Sequence, residues 1–288
     1  MSFLQPFKPL IAALPEVAKP LSSPSLKEKL MWTGGALVLF YILGQIFPIG
    51  IDHSGIVRFE RLEILLGSKT GTLITAGIGP IVLASIFLQL AVGSKLINLD
   101  LSNPEDRKLF QGFQKLLAIG LAALEGIIYV LSGYIPAAGS IAGSTAIPLF
   151  GSVIITQMLV ALQLMMGSIL LLYLDEVVQK YGIGSGISLF IAAGVAQAIF
   201  IGAFSFATTA GIPAGLIPQF LFYLSQAEVQ TAVWTLLPII FTIIVFFVVV
   251  YVSGMRIELP ISYGFARGLD ARYPLKFLYV SNIPVILA

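Results

Sequence analysis

The chain has 288 residues, of which 58% are hydrophobic and 10% are charged, and its formal net charge is +2. A soluble chain carries about 25% charged residues, so this composition excludes an ordinary soluble enzyme or binding domain. The chain has no cysteine and one histidine, His53, which excludes disulfides, thiol nucleophiles and thiolate metal sites. The composition indicates an all-α protein that crosses a membrane several times, and we expect it to need no cofactor.

The N-terminal residues 1–29 are mildly amphipathic and rich in lysine and proline. They lack the pattern of a cleavable signal peptide, so we predict a segment that lies on the cytoplasmic membrane surface and leads into the first span.

Apolar runs long enough to cross a bilayer follow this segment. A bilayer core requires about 20 apolar residues per helix, and hydrocarbon requires the backbone to bond within its own segment. The runs cover residues 30–48, 72–92, 116–131, 151–174, 186–204 and 233–252, and a seventh begins at Phe277 and reaches Ala288. The third run is short, but its flanks at 112–115 and 132–134 extend it. We therefore predict six full spans and a partial seventh.

The segment between the first two runs has its own pattern. Its apolar residues at helical spacing are Phe59, Leu62, Leu65 and Leu66, and charged residues lie opposite them. This pattern predicts a short amphipathic helix at about 56–68, too short to span and broken by Gly67 and Ser68. Two interpretations stay open, an interfacial loop helix and a re-entrant helix that lines a cavity.

The second run contains small residues and a proline. Gly71, Gly77, Gly79 and Ala84 predict close packing of transmembrane backbones. Pro80 frees a backbone carbonyl and predicts a kink within the span.

One charged residue, Glu125, lies inside an apolar run. An ionisable residue at membrane depth is a functional-site hypothesis by default. The alternative is a structural carboxylate that is satisfied by backbone groups or by water in a cavity.

The basic residues predict the orientation. With the N-terminus in the cytoplasm, the outer segments hold only Arg58, Arg61 and Lys69, and the remaining lysines and arginines are cytoplasmic. The loop at 254–276 is polar and basic, and two interpretations remain for it: a positive-inside anchor, or a docking site for an anionic partner.

Several longer stretches are more specific than composition. They are residues 72–82 (TLITAGIGPIV), 100–117 (DLSNPEDRKLFQGFQKLL), 173–194 (YLDEVVQKYGIGSGISLFIAAG), 255–260 (MRIELP) and 273–288 (YPLKFLYVSNIPVILA). Taken in order, they closely resemble SecY, the large subunit of the archaeal and eukaryotic-type protein-translocation channels. The two outer loops match poorly, as loops do.

The resemblance implies a fold. The family has ten spans in two inverted halves with a pore between them, and this chain would cover the first half, the sixth span and the start of the seventh. The expected divisions are an N-terminal segment at 1–29, a first half at 30–204 with a plug helix at about 56–68, and the start of the second half at 205–288. Residues 277–288 would form about 18 Å of helix, so we expect the chain to belong to a longer protein, whose C-terminal half is a partner.

The resemblance also implies functional positions. The family's aliphatic pore ring corresponds to Ile78, Val82, Ile187, Ile191 and Ile286, and its plug corresponds to the predicted helix with Phe59, Leu62, Leu65 and Leu66. The polar cluster of its lateral gate corresponds to Glu125 and Asn282, although Leu83 replaces the hydroxyl of the family's third member. Its docking loop corresponds to Arg256, Arg267, Arg272 and Lys276, whose charges suit ribosomal RNA phosphates.

The resemblance implies a passive, non-enzymatic pore in the plasma membrane of an archaeon, or in the endoplasmic reticulum membrane of a eukaryote. Its expected partners are small single-span subunits similar to SecE (gamma) and to the beta subunit, the ribosome, signal sequences and nascent polypeptides, and membrane lipid. The alternative is a secondary transporter that uses Glu125. An intramembrane enzyme is excluded by the lack of a Ser/His pair, an Asp pair or HExxH at depth.

Overall fold

The structure is a computed structural model, and it describes residues 7–20, 22–52, 56, 63, 66–97, 99–100, 102–140, 148, 151–209, 211–261 and 271–277. The described chain is predominantly helical, which confirms the predicted all-α class. It divides into two compact units, residues 1–198 and 199–288.

In its described residues, the first unit contains five helices and the start of a sixth. They are α1 (Lys8–Ala13), α2 (Leu26–Leu43), α3 (Gly79–Gly93), α4 (Pro104–Leu131), α5 (Val153–Tyr181) and α6 (Gly186–Phe204), the last of which continues into the second unit.

Local sequence sets several of these helix starts. At α2, Ser25 and Glu28 form a reciprocal capping box. At α4, the Asn103 side chain accepts a hydrogen bond from Glu105 N–H, and Pro104 occupies the first turn, where its missing N–H costs nothing.

In the part of the chain that the structure describes, four helices are long and apolar enough to cross a membrane, namely α4, α5, α6 and, in the second unit, α8 (Val229–Gly254). This supports a multi-pass membrane protein. The helices of the first two predicted runs are shorter, with 18 residues in α2 and 15 in α3.

The prediction of one full helix over residues 72–92 is corrected by the structure. Turns extend from Thr70 to Ile78, and the helix begins only at Gly79. Gly71 and Gly77 have φ values of +83° and +57°, which a right-handed helix does not allow. Pro80 lies in the first turn of α3, so it opens the helix and does not kink it.

The core of the first unit forms where these helices meet. Its buried side chains include Phe40, Ile74, Leu171 and Phe190, and the rings of Phe40 and Phe190 stack at 4.9 Å. Helix α5 approaches its neighbours at glycine: a Cβ at Gly167 would overlap the backbone carbonyl of Leu73. This close approach packs the non-helical turns directly against a helix backbone.

The N-terminal segment, which the sequence predicts to lie on the membrane surface, contacts two helices of the first unit. Residues 7–18, which we name the strap, pack against α4 and α5. Its short helix α1 carries Ile11, which lies directly against Gly112 of α4.

The described part of the second unit contains two small β-ribbons and two helices that follow α6. β1 (Thr208–Thr209) pairs with β2 (Ile212–Pro213), α7 (Leu216–Ser225) and α8 follow, and β3 (Arg256–Ile261) pairs antiparallel with β4 (Ala271–Lys276). Ala232 is the buried residue of α8, whose surface is otherwise exposed within this unit. The sequence analysis did not predict the β3–β4 ribbon, although its start alternates charged and apolar residues, which is a strand signal.

Candidate functional site

Four of the five predicted ring residues lie in one place. Ile78 is 1% exposed in the core, and Val82, Ile187 and Ile191 are half-buried and pack against the same core. We name these four residues the aliphatic cluster. Val82 N–H donates to the Ile78 carbonyl at 3.0 Å, one turn away, while Ile187 and Ile191 are one turn apart on α6. The fifth predicted member, Ile286, lies outside the described residues.

Ile78 is held by a buried segment that is not helical, so its backbone groups need other partners. The Thr72 hydroxyl donates to the Lys69 carbonyl at 2.7 Å, and the Thr75 hydroxyl donates to the Thr72 carbonyl at 2.5 Å. Leu73 N–H donates to the Ile46 carbonyl at 2.9 Å. Irregular backbone at membrane depth is tolerated where protein buries it and satisfies its polar groups, and both conditions hold here.

Residues 66–68, the end of the predicted plug segment, sit directly on this cluster. Ile78 N–H donates to the Leu66 carbonyl at 2.9 Å. A Cβ at Gly77 would overlap that carbonyl and would lie 2.7 Å from Ser68 Cβ. A Cβ at Gly67 would lie 3.7 Å from Phe190 Cβ. The close fit therefore depends on glycine at position 77, whereas a Cβ at position 67 would make an ordinary van der Waals contact.

The predicted plug helix itself is covered only in part. Gly67 has a φ of +51°, which fits its predicted role as a breaker. Phe59, Leu62 and Leu65 lie outside the described residues, so the helix at 56–68 stays a prediction.

Glu125 lies beside the start of α3. Both of its carboxylate oxygens are 3.7 Å from the Cβ position of Gly79, and Leu66 Cδ2 is 3.8 Å from the same point. Tyr129 O–H donates to Glu125 Oε2 at 3.4 Å. A carboxylate near a helix N-terminus is favourable because of the helix dipole. The sequence analysis missed Tyr129, although its i+4 spacing from Glu125 is the signal that would have found it.

The predicted partner of Glu125 is Asn282, which lies outside the described residues. The gate pair therefore stays a prediction.

Asp175 is a positioning residue that the sequence analysis missed. It is 6% exposed, and its Oδ1 accepts from Ile187 N–H at 3.0 Å, while Gln179 Nε2 donates to Oδ2 at 2.8 Å. A Cβ at Gly186 would lie 2.6 Å from Asp175 Cα. This carboxylate on α5 thus caps the N-terminus of α6 at the residue that contributes to the aliphatic cluster.

Three of the four docking residues predicted in the basic loop fall on the β3–β4 ribbon. Arg256 and Lys276 are exposed and are register partners across the two strands, and Arg272 is the register partner of Pro260. Like charges directly opposite each other destabilise a ribbon, so an anion bound between Arg256 and Lys276 would relieve a local repulsion. Arg267 lies outside the described residues.

Within the described ranges, no three His, Asp or Glu side chains are grouped so that they could hold a metal ion. The site instead offers apolar surface, helix ends and single carboxylates. Such groups can pack, seal and hydrogen-bond.

Comparisons with known proteins agree with the helical membrane fold described above. The SecY family model matches residues 72–288. The protein translocase subunit SecY of Methanococcus vannielii is 46% identical over 283 residues, which are 98% of this chain and 59% of that protein. The SecY subunit of Methanocaldococcus jannaschii is 46% identical over 282 residues, with 97% and 59% covered.

Solved structures are similar over the same extent. The structure of a protein-conducting channel matches with a TM-score of 0.74 and 46% identity, covering 97% of this chain and 60% of that one. Sec61 in the canine ribosome–channel complex from the endoplasmic reticulum matches with a TM-score of 0.73 and 46% identity, with 97% and 60% covered. These relatives do not support the alternative of a secondary transporter.

The chain spans about 60% of the length of these relatives. The family model covers most of this chain, and the identical residues extend over nearly all of it. The chain therefore belongs to the SecY family.

Proposed function

We propose that the chain forms the pore of a protein-conducting channel, which translocates secretory polypeptides and releases membrane-protein segments laterally into lipid. The observation that carries this proposal is the aliphatic cluster, in which Ile78 lies in the core and Val82, Ile187 and Ile191 pack against that same core, with Leu66 bonded to Ile78 through the main chain. The relatives named as protein translocase subunits support the same function.

The chemistry of the cluster suits a pore that accepts many sequences. Branched aliphatic side chains make contacts without direction, so they fit a passing chain of any sequence, and an apolar constriction excludes water and ions by dewetting. In the proposal, Ile286 completes the ring from the seventh span.

Residues 66–68 would act as the base of a movable plug. Their described contacts to the cluster are one main-chain hydrogen bond and close packing at Gly77. A hydrogen bond of this kind contributes about 0.5–1.5 kcal/mol net, which is small enough for a translocating chain to displace. We propose that the plug helix with Phe59, Leu62 and Leu65 moves with them.

Glu125 would belong to the lateral gate. Its carboxylate lies beside Gly79 and Leu66, so it is placed where a movement of α3 or of the plug would change its surroundings. We propose that Glu125 and Asn282 face each other across the seam through which apolar segments leave.

The pore would be passive and non-enzymatic, with the driving force supplied by a bound partner. We propose the ribosome as that partner, docked through Arg256, Arg267, Arg272 and Lys276. The exposed like-charged pair of Arg256 and Lys276 supports this proposal, and so do similar channels solved with ribosomes. We further propose that small Sec subunits similar to SecE and the beta subunit bind the chain and that its N-terminus is cytoplasmic. We propose the plasma membrane of an archaeon as its location, since the SecY relatives of Methanococcus vannielii and Methanocaldococcus jannaschii are archaeal.

The proposed pore can be tested in planar bilayers with the full-length protein and its partner subunits. The four residues of the aliphatic cluster are replaced together by glycine, and the resting ion conductance is measured. The control replaces four exposed residues of α4 and α5 by glycine: Ile127, Ile128, Ile154 and Ile155.

We expect the cluster variant to leak ions and the control to stay sealed. The control introduces the same number of glycines, all of them within helices, so a general loss of helix stability would raise both conductances. An assembled cluster variant with the resting conductance of the native channel would refute the pore assignment.

A further inference from the structure

The strap, residues 7–18, has two kinds of contact with the helices beneath it. Its first part is anchored by side chains, since Ile11 lies against Gly112 and the rings of Phe7 and Phe113 meet edge to face at 5.2 Å. Its second part, residues 15–18, is extended after α1 ends, where Leu14 has a ψ of 130°. The residue before a proline is restricted to such extended values, so Pro15 predisposes the chain to this shape.

Three charged side chains hold the second part of the strap. Glu176 accepts from Lys115 at 2.8 Å and from Lys180 at 2.7 Å. We name these three residues the clasp. They lie near one another because Glu176 and Lys180 are one turn apart on α5, while Lys115 comes from α4 and lies over the ring of Tyr173.

The clasp bonds the strap through main-chain atoms. Glu176 accepts from Val17 N–H at 3.1 Å, Lys115 donates to the Pro15 carbonyl at 2.6 Å, and Lys180 donates to the Val17 carbonyl. Beside them, Tyr181 O–H donates to the Ala18 carbonyl at 2.9 Å. The side chains of Pro15, Glu16 and Ala18 are exposed.

The charges of the clasp explain why a strap is needed there. Two lysines and one glutamate leave one positive charge in excess, while the side chains of Lys115 and Lys180 are only 12% and 20% exposed. A partly buried ammonium group is costly unless acceptors surround it. The carbonyls of Pro15 and Val17 supply those acceptors.

We propose that the clasp is a binding site for an extended polypeptide backbone and that its occupant is residues 15–18 of this same chain. The clasp recognises main-chain atoms of its occupant and not its side chains. The site holds the N-terminus as a brace across the start of α4 and the end of α5. This proposal is independent of the proposed pore.

The end of α5, which the strap contacts, also contacts α2. The Thr33 hydroxyl accepts from Ile183 N–H at 3.0 Å, and the rings of Trp32 and Tyr181 lie 5.2 Å apart. The end of α5 is therefore held by the strap and by α2 together, while Asp175 on the same helix caps α6.

Cleavage by the protease Glu-C after Glu16 tests the site, because Glu16 lies within the bonded stretch and is exposed. The full-length protein in detergent is digested, and the rate of cleavage at Glu16 is followed by mass spectrometry against cleavage at exposed Glu228. Glu176→Gln removes the charge that holds both lysines. We expect cleavage at Glu16 to be on the order of tenfold faster, since losing charge-assisted bonds raises the open population.

A second variant leaves the clasp intact and removes the neighbouring bond to the strap. Tyr181→Phe removes the hydroxyl that donates to the Ala18 carbonyl at 2.9 Å, and we expect it to speed cleavage at Glu16 as well. Val17→Ala and Ala18→Ser keep every main-chain group, and we expect both to keep the native rate. Lys108→Met removes an exposed lysine of α4 that lies outside the clasp, and it should also cleave at the native rate.

Three results would overturn the proposal. Native cleavage rates in both Glu176→Gln and Tyr181→Phe would show that the clasp and its neighbour do not hold the strap. Release by Val17→Ala or Ala18→Ser as large as that of Glu176→Gln would show that the site recognises side chains. A rate increase at Glu228 equal to that at Glu16 would identify general unfolding and would also count against a local site.

Discussion

The cap that Asp175 places on α6 leads to a sharp prediction, because it joins a buried carboxylate to the aliphatic cluster. In Asp175→Ala, the N–H of Ile187 loses the acceptor that lies 3.0 Å away, and Gln179 loses its partner at 2.8 Å. An unsatisfied buried donor costs about 1–3 kcal/mol, and loss of a cap costs about 0.5–2 kcal/mol. These values describe the same N–H, so they do not add, and we expect a loss of about 2 kcal/mol.

The loss should fall on the first turns of α6, which hold Ile187 and Ile191. We therefore expect Asp175→Ala to lower the melting temperature in detergent and to raise the resting ion conductance in bilayers, although Ile187 and Ile191 themselves are unchanged. Asp175→Asn keeps an oxygen that can accept from Ile187 N–H, so its conductance should lie nearer the native value. Gln179→Ala removes only the other partner and serves as the control.

The outcome separates positioning from sealing. If Asp175→Ala stays sealed while the glycine variant of the cluster leaks, the ring assignment survives and the positioning role of Asp175 is refuted. A native melting temperature in Asp175→Ala would refute the energetic argument itself.

Three further predictions follow from single contacts. Gly167→Ala should lower the free energy of unfolding by about 1–3 kcal/mol, because its Cβ would lie 2.6 Å from the Leu73 carbonyl carbon. Gly120→Ala is the control, since its Cβ enters open space and should leave the melting temperature unchanged or raised. Equal melting temperatures of the two variants would contradict the packing. Arg256→Glu should weaken ribosome binding most at low salt without destabilising the ribbon, since it replaces a like-charged register pair with an opposite one; unchanged binding at low salt would count against docking. Glu125→Leu should shift the hydrophobicity at which half of a graded Leu/Ala segment series integrates into lipid, and an unmoved midpoint would return Glu125 to a structural role.

Hydropathy predicted the helices of this chain best where one run forms one regular element. The run at 186–204 agrees with α6 at both ends, and α4 extends the run at 116–131 to 28 residues. In both cases the burial of apolar side chains and the bonding of the backbone favour the same helix, so composition alone is sufficient to predict it.

The run at 72–92 shows why composition is not always sufficient. Its residues are apolar enough for a helix, but Gly71 and Gly77 adopt positive φ, and the hydroxyls of Thr72 and Thr75 satisfy carbonyls locally. Hydropathy sums side-chain transfer energies and does not register these backbone alternatives.

The site was predicted unevenly for a related reason. The family resemblance pointed to Ile78, Val82, Ile187 and Ile191, which the fold then brought together. Asp175 and Glu176 were visible as adjacent carboxylates, but nothing in the sequence says that one faces the start of α6 and the other faces the strap. That choice depends on which helices surround α5, and it is a property of tertiary packing.

The strap also has a consequence for the order of events during synthesis. Val17 and Glu176 are 159 residues apart, and at roughly 5–20 residues per second the ribosome needs on the order of ten seconds to cover that interval. Throughout this time the N-terminus has no clasp to bind, and α2 enters the membrane before its final neighbour exists. Residues 15–18 are therefore secured much later than the first part of the strap, which binds Gly112 and Phe113. A nascent chain that stalls before residue 176 would leave residues 15–18 open to proteases and chaperones.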